Sequence, residues 1–245
     1  MNTMEQVICF RLHGKFAHFS RAETQTSILS YPVPPRTALL GLVAAILGLS
    51  KDMAPQVLEP CQIAVAGGAI ASHWHTAKFR KDPPELLPRQ VKSNQAADRH
   101  RKPEKASLII QEWLWQPRYT VWIKLPDEFQ PELIDRMLQR RWHFSPSLGI
   151  SEMLAEIDEA EVHDAILLRP GPHAVSSVLR HNAVRIDVND ALDRELGLQI
   201  FSMPRTVSID RVFTHEQYVM ESSGHSVRVD TDQAYQIGHE VVTFL

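Results

Sequence analysis

The sequence predicts an α+β fold in which a ferredoxin-like (RRM-like) N-terminal domain with an inserted β-hairpin precedes a small antiparallel β-rich C-terminal subdomain. Three observations predict it. Apolar segments follow the order strand, helix, strand, insertion, strand, helix, strand, which is the split βαβ order of ferredoxin-like domains. A charged, proline-containing segment interrupts that order after the second strand. Beyond residue 168 the apolar segments become short and closely spaced, which is typical of a small antiparallel sheet.

Three apolar segments predict the first half of the N-terminal domain. Residues 5–13 alternate between an apolar and a mixed face, so they form a predicted strand that ends at Gly14. Three prolines within residues 31–35 keep the chain extended. A buried helix is predicted over residues 36–49, because apolar residues cover most of its circumference. Residues 62–70 form the second predicted strand.

Turn and helix signals predict the second half. Residues 107–115 and 118–125 are predicted strands, and Gln116 and Pro117 between them predict a hairpin that pairs the two. Residues 130–142 form a predicted helix with apolar side chains on one face. The remaining predicted strands are residues 161–168, 183–188, 205–213, 216–220, 226–230 and 240–245.

The predicted domains are residues 1–168, with an inserted arm at about residues 72–106, and residues 169–245. Hydrophobic residues make up 44% of the chain and charged residues 22%, which is the composition of an ordinary globular protein. Two cysteines are too few for a disulfide scaffold or a thiolate metal cage. No signal peptide is visible, and the longest apolar run, residues 38–49, is too short to span a bilayer. We therefore expect a soluble, cytoplasmic protein with no membrane partner.

The net charge of −3 hides an asymmetry between the arm and the body of the protein. Residues 78–105 hold nine lysines and arginines against four acids, so the rest of the chain is acidic. A basic arm on an acidic body indicates a local contact with a polyanion. The alternative is a charged loop that only contacts water.

The loop between the first predicted strand and the first predicted helix combines cations with aromatic rings. Its cations are Lys15, Arg21 and Arg36, and its rings are Phe16, Phe19 and Tyr31. Single-stranded RNA is bound by such a combination, because cations contact phosphates and rings stack on bases. Arg36 and Thr37 also begin the helix, where free backbone N–H groups attract anions. The alternative is that the three rings pack beneath the loop.

The sequence FRLHGKFAHFSRAETQTSILSYPVPPRTALLGLVAAILGL, residues 10–49, resembles the N-terminal signature of the Cas-five family of the RAMP superfamily, found in type I CRISPR effector complexes (Cascade). It is most similar to the type I-B branch. Residues 146–152, PSLGISE, are similar to a second family motif, a Pro-x-Leu-Gly-x-Ser-Glu loop after the second helix. The C-terminal third matches the family only in being β-rich.

The resemblance implies a RAMP-type ferredoxin-like fold whose inserted arm works as a thumb. It implies a non-catalytic subunit that binds and caps the five-prime handle of the CRISPR RNA and contacts the backbone and large subunits of the complex. Target DNA near its recognition motif is a further candidate partner for the basic arm. No metal or other cofactor is expected. The predicted RNA-binding residues are Lys15, Phe19, Arg21, Tyr31, Arg36, Thr37, Trp74, Lys78, Arg80 and Lys81.

The tripeptide His73-Trp74-His75 lies at the base of the arm. On a strand, both histidines would share one face and Trp74 would occupy the other. Two histidines without a third ligand do not favour a metal site, and base stacking by one of these rings is the alternative interpretation. Trp113 and Trp115 also share a face, which we expect to be core or a subunit interface.

An enzyme is the alternative function. Metal-independent RNA cleavage needs only a base and an acid, and Tyr31, His73 and His75 are the candidate catalytic residues. The type I-C branch of the same family is similar and cleaves precursor CRISPR RNA with a tyrosine, a lysine and a histidine. This sequence contains no adjacent lysine–histidine pair, so the non-catalytic role is the favoured prediction.

Overall fold

The computed structural model describes residues 5–21, 27–50, 53–79 and 107–245. In chain order its elements are β1 (Glu5–His13), β2 (Phe16–Ala17), β3 (Ser27–Ile28), α1 (Arg36–Leu47), α2 (Ala54–Val57), β4 (Gln62–Gly68), β5 (Ala71–Phe79), β6 (Ser107–Trp115), β7 (Arg118–Lys124), α3 (Gln130–Leu138), β8 (Glu156–Leu167), β9 (Gly171–Val175), β10 (Leu179–Arg180), β11 (Arg185–Ile186), α4 (Val188–Asp193), β12 (Leu198–Val207), β13 (Phe213–Glu221), β14 (Val227–Thr231), β15 (Tyr235–Ile237) and β16 (Glu240–Val242). The fold is mostly β with a few helices, which confirms the α+β class.

A six-stranded sheet in the order β16-β15-β8-β1-β7-β4 organises the molecule, and every neighbouring pair in it is antiparallel. The predicted strand over residues 5–13 is confirmed as β1, which lies between β8 and β7. Ile8, Phe10 and Leu12 alternate along β1 and are almost fully buried on the same face. The period of two therefore places this strand in the main core.

Helices α1 and α3 contact each other and contribute buried side chains to that same core. The predicted first helix is confirmed within two residues: α1 begins after Pro35 and ends where Gly48 takes a left-handed conformation, with φ of 80°. The backbone N–H of Gly48 donates to the carbonyl of Ala44 at 2.8 Å. Helix α3 ends four residues before the predicted end, because Arg140 has a φ of 53°.

The other face of the sheet carries a smaller core that the C-terminal strands complete. Val7 and Trp122 from the N-terminal strands pack there with Ile237 and Val242 from β15 and β16. Strand β15 pairs with β8, so the end of the chain returns to the main sheet. The division at residue 168 stays a prediction, since strands on both sides of it share this sheet.

A second sheet is built around β6, which pairs with β5 on one edge and with β2 and β3 on the other. The predicted hairpin at Gln116 and Pro117 is wrong, because β6 and β7 belong to different sheets. Gln116 has a φ of 47°, and its N–H donates to the carbonyl of Lys15 at 2.9 Å, so this corner redirects the chain between sheets. Paired β5 and β6 form the base of the predicted arm. Residues 80–106 lie outside the described residues.

Two three-stranded sheets, β10-β13-β12 and β11-β14-β9, form most of the C-terminal region. The predicted strand over 183–188 is wrong except at β11, because Asp187 caps helix α4 by accepting from the N–H of Asp190 at 3.1 Å. The predicted strand over 205–213 is wrong at residues 208–212, because these residues form the turn between β12 and β13. In that turn Arg211 has a φ of 62°.

Glu221, at the end of β13, connects three parts of this region. Its carboxylate accepts from the N–H groups of Gly197, Ser223 and His225 at 3.2, 2.8 and 2.7 Å. Burial raises the pKa of Glu221, but the three N–H donors together outweigh burial and hold the pKa below its usual value. A depressed pKa in the folded state stabilises the fold above the unfolded-state pKa, and that contribution is lost as the pH falls through the folded-state pKa.

We expect Glu221→Gln to lower the free energy of unfolding by about 1–3 kcal/mol at neutral pH, because three donors lose a charged acceptor. Urea unfolding of both proteins should show this difference shrinking as the pH falls below the usual glutamate pKa and through the lowered pKa of Glu221. Glu195→Gln, at an exposed position nearby, is the matched control and should change little. A difference that is constant with pH would contradict the proposed charge dependence.

Candidate nucleic-acid interface

The two segments that carry the family resemblance pack against each other. The N–H of His18, in the loop after β2, donates to the carbonyl of Leu148 at 3.0 Å. Gly149 follows with a φ of 96°, and a Cβ placed on it would lie 1.9 Å from the carbonyl oxygen of His18. A Cβ on Gly14 would lie 2.7 Å from Cδ1 of Leu148. Both positions therefore require glycine, because the two segments are too close to accommodate a Cβ atom.

Hydrogen bonds fix the loop over β6. Ser30 donates its backbone N–H to the carboxylate of Glu112 at 3.1 Å, and its hydroxyl accepts from the N–H of Phe19 at 3.0 Å. The imidazole of His18 donates from Nδ1 to the carbonyl of Glu112 at 2.7 Å. The N–H of Tyr31 donates to the carbonyl of Phe19 at 2.8 Å. These bonds therefore hold the described residues at the two ends of the loop against β6 and against each other.

This arrangement buries two of the predicted RNA-binding rings. Phe19 is 5% exposed and Tyr31 is 1% exposed. The ring of Phe19 meets that of Tyr119 edge to face, with centroids 6.2 Å apart. This burial supports the alternative interpretation of the sequence, in which the rings pack beneath the loop. Direct stacking of RNA bases on these two rings does not fit this burial.

Arg36 is also buried, with 2% of its surface exposed. Its Nη1 donates to the carboxylate of Glu59 at 2.9 Å and to the carbonyl of Arg205 at 3.3 Å. Its Nη2 donates to the carbonyl oxygens of Glu59 and Cys61. The guanidinium therefore ties the start of α1 to the segment before β4 and to β12. The predicted direct RNA contact by Arg36 stays a prediction, and the terminal nitrogens of its guanidinium are already bound by protein groups.

The other predicted residues of the loop are more accessible. Arg21 is half-buried, donates from Nε to the carbonyl of Ser30 at 3.0 Å, and lies 5.4 Å from the ring centroid of Tyr31. Thr37 is half-buried in the first turn of α1. Lys15 is exposed, and its Nζ lies 5.8 Å from the ring centroid of Phe16. Lys15 is the loop cation that is most open to a ligand.

A cluster of rings lies on one face of the β5–β6 pair, and we call it the ring surface. Its members are Phe16, His73, His75, Trp113 and Trp115. The imidazole of His75 stacks on Trp113 with centroids 3.9 Å apart, and Phe16 meets the same indole at 5.4 Å. His73 meets Trp115 edge to face at 6.0 Å. Both histidines are exposed, while the other three rings are half-buried.

The opposite face of β5 carries two of the predicted RNA-binding residues. Trp74 is 60% exposed and Lys78 is exposed as well. The alternation predicted from the sequence therefore separates Trp74 from the two histidines. Arg80 and Lys81, which follow on the same segment, lie outside the described residues.

A groove of about 920 Å³ runs beside α1, and its lining is mostly apolar. It lies between the loop after β2, the segment after α3 and the turn between β12 and β13. Representative lining residues are Tyr31, Thr37, Ala45, Phe144, Ile150 and Phe213. Sequence patterns do not reveal this groove, because its walls come from segments that are far apart in the chain.

The residues of the alternative catalytic set are not brought together. Tyr31 lies at the groove, whereas His73 and His75 belong to the ring surface and do not line the groove. Within the described ranges, no three side chains of histidine, cysteine, aspartate or glutamate converge as metal ligands. Burial raises the pKa of Cys9 and of Cys61 to about 11, so neither thiol is a ready nucleophile.

The helices in the described part of the chain include none that is both long enough and apolar enough to cross a bilayer.

We expect Gly149→Ala to destabilise the protein by about 2–5 kcal/mol, because the new Cβ adds a clash with His18 to left-handed backbone strain. Gly224→Ala is the matched control, since Gly224 also has a positive φ but no atom lies within 4 Å of the added Cβ. Its cost should be limited to about 1–2 kcal/mol of backbone strain. Thermal unfolding of the two variants checks this, and equal losses would contradict the close packing.

Comparison with known proteins agrees with the resemblance seen in the sequence. Residues 7–222 match a family described as CRISPR-associated protein (Cas_Cas5). No curated protein matches the chain. A CRISPR protein from Archaeoglobus fulgidus, known from a crystal structure, is 13% identical over 97% of each chain with a TM-score of 0.53 and shares the fold. A chain of a CRISPR RNA-guided surveillance complex is 17% identical over 91% of each chain with a TM-score of 0.48. Since the family match covers most of the sequence, this protein belongs to the CRISPR-associated Cas_Cas5 family.

Proposed function

We propose that the protein is a non-catalytic subunit of a type I CRISPR effector complex (Cascade) that binds and caps the five-prime handle of the CRISPR RNA. Family membership supports a role in a CRISPR system. The observation that carries the RNA-binding role is the ring surface beside the exposed Lys15. Exposed histidines over half-buried tryptophans offer flat faces to unstacked bases, and a nearby ammonium offers a contact for phosphate.

The proposal includes a ferredoxin-like core with an inserted thumb. Strands β8, β1, β7 and β4 are antiparallel neighbours in that order. Numbered along the chain within this core, they follow the order 4-1-3-2 of a split βαβ domain, with α1 and α3 as the two helices. The pairing of β5 with β6 inserts a two-stranded projection after the second core strand. Its basic continuation, residues 80–106, is proposed to follow the RNA backbone.

The proposed RNA contacts differ from the full set predicted by sequence. We retain the accessible residues and add the ring surface, whereas Phe19, Tyr31 and Arg36 receive a supporting role because they are buried. The accessible predicted residues are Lys15, Arg21, Thr37, Trp74 and Lys78. Contacts with the backbone and large subunits belong to the same proposal, and the apolar groove beside α1 is available for one of them. A contact between the basic arm and target DNA stays a prediction.

We expect His75→Ala and Trp74→Ala each to weaken binding of CRISPR repeat RNA by about 5- to 150-fold. The reason is that stacking on one aromatic side chain contributes about 1–3 kcal/mol per base. Fluorescence anisotropy at fixed salt measures the affinity. Leu192→Ala removes an apolar side chain that is 70% exposed on α4 and lines neither the groove nor the ring surface, so it is the matched control and should bind normally. Equal affinity in all four proteins would contradict RNA binding by the β5–β6 pair.

The alternative, a metal-independent endoribonuclease using Tyr31 with His73 or His75, is less well supported because these groups are not assembled. We expect end-labelled repeat RNA to remain intact when it is incubated with the purified protein in EDTA and resolved on a denaturing gel. A discrete cut near the handle that disappears in Tyr31→Phe would contradict the non-catalytic role. A cut that persists in Tyr31→Phe would contradict both assignments.

A further inference from the structure

A second, polar cavity of about 310 Å³ lies on the molecule at the start of β4, away from the ring surface. Three arginines from three distant parts of the chain line it: Arg36 from α1, Arg180 from β10 and Arg205 from β12. Gln62 and Glu59 also contribute to its wall. Guanidinium groups repel one another at close range, so their convergence needs compensating negative charge.

Arg36 forms the fixed wall of this cavity. Both of its terminal nitrogens donate to Glu59, Cys61 or the backbone of Arg205, as described above. Its Nε is buried and has no hydrogen-bond partner. Because the side chain is 98% enclosed, its position does not depend on a ligand, and one donor remains unused.

Arg180 and Arg205 share one carboxylate. Nε of Arg180 lies 3.0 Å from Oε2 of Glu216, and Nε of Arg205 lies 3.6 Å from Oε1 of the same group. Their side chains are 28% exposed. Among the contacts of the described residues, the terminal nitrogens of these two arginines have no acceptor. Glu216 therefore orients the two guanidinium forks and leaves their outer donors available to a ligand.

Several buried polar atoms around the cavity have no hydrogen-bond partner among the described residues. They include Nε of each of the three arginines, although Glu59 and Glu216 lie close enough to form ion pairs and Leu245 also lines the cavity. Oε1 of Gln62, which also lines the cavity, is buried without a partner. An oxyanion that also carries a hydroxyl would accept from the arginines and donate to Gln62.

We propose that this cavity binds a phosphate group. Paired guanidinium forks match the geometry of phosphate oxygens, and Nε of Arg180 and of Arg205 makes no hydrogen bond to Glu216 despite the ion pairs. Two sources of phosphate share this chemistry: a phosphate of the bound guide RNA, and free phosphate in solution. The RNA source rests on the proposed function, whereas binding of free phosphate does not.

Isothermal titration calorimetry with inorganic phosphate, at constant ionic strength balanced with chloride, tests the site itself. We expect saturable binding to the wild-type protein and at least a tenfold loss of affinity in Arg180→Gln and in Arg205→Gln, because each removes a charge-assisted pair of hydrogen bonds. Arg228→Gln, which makes the same change of charge at an exposed position outside the cavity, should bind phosphate normally. Absence of phosphate binding to the wild-type protein, or equal loss in all three variants, overturns the proposal.

Loss of the Arg180 guanidinium removes a positive charge beside Glu216 and could unfold the β12–β13 hairpin. Arg180→Lys is therefore the second variant. It keeps a cation beside Glu216 but lacks the planar fork. Thermal unfolding should be close to wild type while phosphate affinity falls. Normal phosphate affinity in a folded Arg180→Lys protein contradicts recognition by the guanidinium fork.

Anisotropy with repeat RNA then distinguishes the two sources. A tenfold or greater loss of RNA affinity in Arg180→Gln and Arg205→Gln, but not in Arg228→Gln, supports an RNA phosphate as the occupant. Normal RNA affinity in variants that have lost phosphate binding assigns the cavity to free phosphate and excludes the RNA source. If the wild-type protein fails to bind RNA at all, the proposed function fails, and the calorimetry still decides the phosphate site.

Discussion

Burying an arginine side chain costs several kcal/mol unless a counter-charge and hydrogen-bond acceptors surround it. Arg36 meets both conditions, because Glu59 supplies the charge and the carbonyls of Glu59, Cys61 and Arg205 supply acceptors. These partners come from the segment before β4 and from β12. One guanidinium therefore fixes the start of α1 relative to the edge of the main sheet and to the C-terminal hairpin. The groove and the polar cavity both border this helix start, so the positions of both depend on it.

The same reasoning explains why residue type alone does not predict which side chains of the loop are accessible. A loop rich in arginine and aromatic residues is typical of RNA binding, but Ser30 and Glu112 bind the backbone of this loop and draw its rings inward. Glu112 lies on β6, far along the chain, so a local motif gives no sign of this contact. The position of Trp74 opposite the histidines depended only on strand alternation, and that could be predicted.

The elements of the fold that could be predicted are those whose signals lie within their own segments of the chain. Strand β1 and helix α1 follow from periodicity and from proline and glycine at the ends of α1, which are properties of the segments themselves. The pairing partners of β6 do not follow from such local signals. Gln116 and Pro117 carry a turn signal, yet the corner joins two sheets because its backbone bonds to Lys15 instead of closing a ladder with β7. Helix α4 could have been predicted from the sequence, since Asp187 precedes it as an N-capping residue.

The distribution of accessible groups argues for binding over catalysis. A catalytic base or nucleophile must reach its substrate with a pKa near the working pH. In the described part of the chain, Tyr31 is enclosed, and desolvation raises the pKa of the Cys9 and Cys61 thiols to about 11. The groups that reach solvent around β5 and β6 include the rings of His73, Trp74 and His75 and the ammonium of Lys78, which suit the recognition of bases and phosphates in the proposed function. The glycines at 14 and 149 allow the two loops that carry the family resemblance to pack at backbone contact. For the proposed RNA-binding role, such preorganised packing reduces the conformational entropy that is lost on binding.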